Sequence, residues 1–160
     1  MATVYLGLGT NLGERERNMR VALEIIEERI GPILSSSSLY ETAPWGYASE
    51  NLFMNMAVKV ETCLLPLPLL HKIKGIESEM GRTKASGQEG YRDRVIDIDI
   101  LFYDELVMES EELTIPHPYI SRRLFVLEPL DEIAPELVHP VSHKTINELK
   151  SDLQCSEKQK

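Results

Sequence analysis

The sequence predicts an α+β sandwich of the split βαβ, or ferredoxin-like, kind: a mainly antiparallel sheet with helices on one face and extra elements at the C-terminal end. Three observations carry this. Segments follow in the order strand, helix, strand, strand, helix, strand. Two of them place apolar residues at helical spacing. Phe53–Thr62 alternates with period two, as a strand does.

Each element has its own signal. Val4-Tyr5-Leu6-Gly7-Leu8 reads as a short strand, and Gly9–Gly13 as a tight turn into a helix that Thr10 or Asn11 is able to cap. Met19, Leu23, Ile26 and Ile30 make one helical stripe, which Gly31-Pro32 stops. Residues 33–41 read as a strand with a polar middle, and Thr42–Tyr47 as a loop. In the next strand Met54, Met56, Val58 and Val60 share one face, while Phe53, Asn55, Ala57 and Lys59 share the other. Pro66 or Pro68 opens the second helix, whose buried stripe is Leu69, Ile73, Ile76 and Met80. Residues 82–94 are charged, glycine-containing and aperiodic, hence a loop. Val95–Phe102 is rich in β-prone residues and reads as a strand. A loop holding Pro116-His117-Pro118, a short apolar segment through Phe125-Val126-Leu127, and a modest helix marked by Ile146, Leu149 and Leu153 complete the chain.

The 160 residues suit a single domain over 1–160, with 156–160 expected to fray. Hydrophobic residues are 42% and charged residues 27%, the balance of a globular core. No apolar run approaches the roughly 20 residues that cross a bilayer. The N-terminus lacks the basic start of a signal peptide, and Cys63 and Cys155 form no C-x-x-C, so a cytoplasmic protein is expected. The formal charge of −9 disfavours nucleic acid and anionic membranes as partners. Against that background Arg82, Lys84, Arg92 and Arg94 form a local basic cluster, suited to a small anionic ligand.

The chemistry centres on Asp97-Ile98-Asp99. Residues two apart in a strand point the same way, about 6.6–7 Å from each other. Two such carboxylates repel, and a divalent cation relieves the repulsion. Oxygen-only ligands favour Mg²⁺ or Mn²⁺ beside phosphates. A solvated face, or ion pairs to Arg92 and Arg94, is the plain alternative. Arg82, Lys84, Arg92 and Arg94 suit a phosphate clamp or else a solvated loop. Glu77, at the edge of the second helix stripe, suits support of the carboxylate cluster, orientation of an arginine, or a surface pair with Lys74. Phe53 beside Asn55 suits a flat heterocycle with a donor–acceptor edge, with Trp45 and Phe125 as further walls, or ordinary packing. His117 is able to donate to a phosphate or to serve structure alone.

These residues together resemble the 6-hydroxymethyl-7,8-dihydropterin pyrophosphokinases. The matching stretches are Gly7–Gly13, Tyr40–Gly46, Phe53-Met54-Asn55, Glu77–Arg82, Arg94–Leu101, Pro116-His117-Pro118 and Arg123–Leu130, in the family's order. The resemblance implies transfer of pyrophosphate from ATP to the pterin's hydroxymethyl oxygen, with AMP released, a step of folate biosynthesis. It implies two Mg²⁺ ions on Asp97 and Asp99, and Arg82, Lys84 and Arg94 as catalytic cations. It implies ATP contacts from Glu77, Arg82, Lys84, Tyr91, Arg94, Ile98, Thr114, His117 and Arg123. Pterin contacts are implied for Thr42, Ala43, Trp45, Phe53, Asn55 and Phe125. Lys84 stands where an arginine is familiar and Glu112 where some members have a basic residue. The 82–94 loop is about two residues longer than in the short bacterial form and is expected to order on ATP binding. Pterin and ATP are the expected partners of a monomer or weak homo-oligomer. A metal-dependent phosphohydrolase and a ligand-sensing domain are the competing readings; pterin-dependent AMP release separates all three.

Overall fold

The structure, a computed structural model, describes residues 1–42, 52–81 and 95–158. The elements are β1 (Ala2–Thr10), α1 (Arg15–Arg29), β2 (Ile33–Ser36), β3 (Tyr40–Thr42), β4 (Phe53–Thr62), α2 (Pro66–Gly81) and β5 (Asp97–Tyr103). A small hairpin of β6 (Met108–Glu109) and β7 (Thr114–Ile115) follows, then α3 (Leu124–Ile133) and α4 (Ile146–Lys158). The main sheet runs β2-β4-β1-β5, with β3 beside β2 on the same edge of β4. Every neighbouring pair is antiparallel. This is the split βαβ arrangement that the order of segments predicts.

The apolar faces of the strands and helices meet as the periodicity requires. Val4, Leu6, Leu8, Met54, Met56, Val58, Val60, Ile98 and Ile100 pack against Met19, Ala22 and Ile26 of α1 and Leu69, Ile73 and Ile76 of α2. A second cluster lies on the opposite face. There Tyr5, Ala57, Leu101 and Phe102 pack under Leu127 and Leu130 of α3 and Ile146 and Leu149 of α4. The added C-terminal helices thus cover one end of the second face. A bulge in β5 makes this possible: the register passes from Tyr5↔Phe102 to Leu6↔Ile100, so Leu101 is the extra residue. Leu101 and Phe102 both join the second cluster, and Tyr103 returns to the first.

Several local expectations need correction. β1 continues through Thr10, so Gly9 is a strand residue as Gly7 is, and the turn begins after Thr10. Neither Thr10 nor Asn11 caps α1; the N-cap is Glu14, without a side-chain hydrogen bond. The turn is held from inside the helix instead. Asn18 donates its amide to the Leu12 carbonyl at 2.8 Å and to Thr10 Oγ1 at 3.3 Å. Residues 33–41 are two strands rather than one. At the break the Ala57 N–H donates to Ser37 Oγ at 3.0 Å, a side chain standing in for a ladder carbonyl. The apolar segment at 125–127 is part of α3, which accommodates Pro129. Gly31 follows α1 where only glycine fits: a Cβ there falls 1.8 Å from the Glu61 carbonyl oxygen.

Candidate active site

The end of the second face that α3 and α4 leave to polar residues is built in rows. The register sets Tyr40 of β3, Asn55 of β4, Gly9 of β1 and Asp97 of β5 side by side. The next row holds Ala57, Gly7 and Asp99. Directly paired residues share a face, so Asn55, Asp97 and Asp99 emerge on the same side of the sheet. Asn55 and Asp97 are two strand spacings apart, roughly 9–10 Å. The two glycines keep the floor between them flat. A Cβ on Gly9 lies 3.0 Å from Asn55 Oδ1 and 3.5 Å from Phe53 Cδ1; one on Gly7 lies 3.3 Å from Leu101. From sequence Gly9 reads as part of the turn and Gly7 as part of the strand. Their spacing of two inside a strand is the signal for a cleared face.

At the β5 edge, α2 delivers Glu77. Its Oε2 accepts the Ile98 N–H at 2.7 Å, so Glu77 faces the sheet edge rather than Lys74. Burial pushes its carboxyl up to about 8, and the neighbouring carboxylates of Asp97 and Asp99 add to the rise, while the Ile98 N–H acts against it. Ile98 itself turns its side chain into the core and is 4% exposed. Its side chain is therefore closed to a ligand, and its backbone N–H is already given to Glu77. Among the described residues no three His, Cys, Asp or Glu side chains are grouped to enclose an ion. Two carboxylates completed by substrate phosphates is the arrangement that suits Mg²⁺.

The β7–α3 connection brings a second group of residues to this end. His117 donates its backbone N–H to the Leu101 carbonyl at 3.0 Å, which ties it to β5 two residues beyond Asp99. Burial, with the nearby Arg123 cation, lowers the imidazole to about 4. Its Nδ1 accepts the Tyr119 N–H at 3.2 Å. The ring is therefore neutral with its proton on Nε2, a donor without charge. The Arg123 guanidinium lies 5.0 Å from the Tyr119 ring centre and 5.6 Å from that of Phe125. Thr114 stands in β7 opposite Glu109. Glu112, where a basic residue is familiar, pairs with His71 of α2 at 2.9 Å.

On the β3–β4 side, Asn55 is 6% exposed and donates its amide to Thr42 Oγ1 at 2.8 Å. Thr42 pairs with Phe53 across the strands. Phe125 lies in the first turn of α3, whose Leu127 and Leu130 pack on the same face of the sheet. Ala43, Trp45, Arg82, Lys84, Tyr91 and Arg94, with the 82–94 loop, lie outside the described residues. Two groups escaped the sequence reading. Arg15 at the start of α1 donates to the Leu52 carbonyl at 2.9 Å and pairs with Glu41 at 2.9 Å, so it bridges the two flanks of residues 43–51. Tyr40 and Ser38 meet Glu132 of α3. No local pattern announces either contact, because the partners are far apart in sequence.

The model of the family described as 7,8-dihydro-6-hydroxymethylpterin-pyrophosphokinase (HPPK) matches residues 5–135. The 2-amino-4-hydroxy-6-hydroxymethyldihydropteridine pyrophosphokinase of Porphyromonas gingivalis is 45% identical over 141 residues, 88% of this chain and 95% of its own. The protein of the same name from Aquifex aeolicus is 41% identical over 152 residues, 95% of this chain and 92% of its own. The folic acid synthesis protein FOL1 of Dictyostelium discoideum is 43% identical over 152 residues, 94% of this chain but 22% of that protein. Among solved structures, a Plasmodium falciparum HPPK-DHPS chain superposes with a TM-score of 0.79 at 22% identity, over 100% of this chain and 45% of its own. That likeness is one of fold.

Proposed function

Because the chain belongs to the 7,8-dihydro-6-hydroxymethylpterin-pyrophosphokinase family, we propose that the polar end of the sheet's second face is its reaction site. The activity is transfer of pyrophosphate from ATP to the hydroxymethyl group of 6-hydroxymethyl-7,8-dihydropterin, within folate biosynthesis, and ATP is the co-substrate. The phosphohydrolase and sensor readings have no support beside it. The observation that carries the site is the row Asn55–Gly9–Asp97: a donor–acceptor amide and a metal-type carboxylate on one face, with nothing larger than glycine between them.

In this reading Phe53 and Phe125 wall the pterin, and Asn55, fixed by Thr42, reads its edge, with Ala43 and Trp45 nearby in the chain. The donor set of Asp97 and Asp99 fits Mg²⁺: all oxygen, and on one face of the sheet. Asp97 and Asp99 would hold two Mg²⁺ ions, which would supply neutralisation of the charge on the transferring group. The protein's own residues do the rest. Glu77 holds the edge of β5 through the Ile98 N–H, so the two aspartates keep their direction. His117 offers a neutral Nε2–H and Arg123 a permanent cation to phosphate oxygens, beside Thr114. Arg82, Lys84 and Arg94, with Tyr91 near the nucleotide, supply the remaining clamp. Catalysis is then mostly positioning and charge stabilisation. Incubation with ATP, Mg²⁺ and the hydroxymethyl pterin is expected to release AMP only when the pterin is present. AMP or phosphate release indifferent to the pterin contradicts the assignment.

A further inference from the structure

Glu132, near the end of α3, gathers three donors from the other side of the molecule. Its carboxylate accepts the Tyr40 hydroxyl at 2.7 Å, the Ser38 N–H at 3.0 Å and the Ser38 hydroxyl at 3.0 Å. The same contacts hold the Glu132 carboxyl below the ordinary range, chiefly through Tyr40, and push the Tyr40 phenol up to about 12. Glu132 is itself exposed, so the bonds do little for the core. What they fix is placement. Phe125 and Glu132 are seven residues apart, hence on the same flank of α3 and about 10 Å from each other along its axis. Tyr40 is directly opposite Asn55 on the site face, and Thr42, the partner of the Asn55 amide, lies two residues further along β3. β3 has only three residues, so its ladder to β4 is short.

We propose that Glu132 is a positioning residue for the pterin: it locks α3 to β3, so that the helix end carrying Phe125 and the strand carrying Thr42 keep one spacing. This rests on the reading of Phe125, Thr42 and Asn55 as pterin contacts. The test compares Glu132→Gln, Tyr40→Phe and Phe125→Ala with the unaltered protein, using steady-state kinetics and calorimetry with 6-hydroxymethyl-7,8-dihydropterin and a non-hydrolysable ATP analogue with Mg²⁺. Glu132→Gln is expected to raise the pterin KM about tenfold, the size of one lost charge-assisted hydrogen bond. kcat at saturating pterin and the affinity for the ATP analogue stay within about twofold. Tyr40→Phe moves the same way by less, and decides the matter if Glu132→Gln does not fold. A pterin KM unchanged in Glu132→Gln and Tyr40→Phe while Phe125→Ala raises it overturns the Glu132 role alone. Equal weakening of both ligands also overturns it, since a general loosening explains that. An unchanged pterin KM in Phe125→Ala overturns the underlying site reading, and the Glu132 role with it.

Discussion

At the scale of residues, the site places like charges where water is scarce. Glu77 shows the consequence. Its carboxyl in the folded protein titrates near 8, against an ordinary value of 4.5. The folded state therefore keeps a proton that the unfolded chain has already released. Stability from this group is present at low pH and is lost as pH rises toward 8. His117 works in the other direction: its folded value near 4 lies below the ordinary 6.5, so its contribution is lost as pH falls through that interval. The two oppose each other below about pH 6.5 and only Glu77 acts between about 6.5 and 8. Scanning calorimetry without divalent cation is expected to show Tm falling over that upper window, and Glu77→Gln to flatten the slope. A slope unchanged in Glu77→Gln contradicts the assignment of the titration to Glu77. The Asp-x-Asp pair and the Phe53/Asn55 face were legible in the sequence because a period of two is all they need. Glu77's contact with Ile98 was not, because it depends on where a helix crosses a sheet edge.

At the scale of elements, two glycines with different duties give separable outcomes. Gly9→Ala places a methyl group 3.0 Å from Asn55 Oδ1. Overpacking of that order costs about 1–3 kcal/mol, and here it falls on the pterin side of the floor. The pterin KM is expected to rise about tenfold with the ATP KM unchanged, read by steady-state kinetics. Gly31→Ala has no such outlet, because its Cβ meets backbone at 1.8 Å. It is expected to cost more than about 2 kcal/mol of stability in urea unfolding while leaving the pterin KM alone. β4, α1 and α2 were legible because long periodic segments announce themselves. The β2/β3 break was not, since it depends on Ser37 replacing a ladder carbonyl for Ala57. The length of α3 was hidden by Pro129, which reads locally as a helix breaker yet is buried inside the helix.

At the scale of the whole molecule, the sheet divides its labour by face. The α1/α2 face is apolar across its core, and the other face gives one end to α3 and α4 and the other to the polar row of Asn55, Asp97 and Asp99. Damage should divide in the same way. Ile73→Ala, at 1% exposure under the sheet, is expected to cost about 2–5 kcal/mol in denaturant unfolding with substrate affinities intact. The split βαβ order was legible because six segments in that sequence leave few ways to pair the strands. The hairpin of β6 and β7 was not, being two residues a side. A chain of net charge −9 that acts on ATP must concentrate its positive charge locally, and Asp97 and Asp99 are proposed as the point where a divalent ion would join that charge to the nucleotide. Calorimetry of a non-hydrolysable ATP analogue, with and without Mg²⁺, on the unaltered protein and on folded Asp97→Ala tests this most directly. Mg²⁺-dependent binding is expected in the unaltered protein and its loss, together with turnover, in Asp97→Ala; undiminished Mg²⁺-dependent binding in Asp97→Ala contradicts the metal role of the pair.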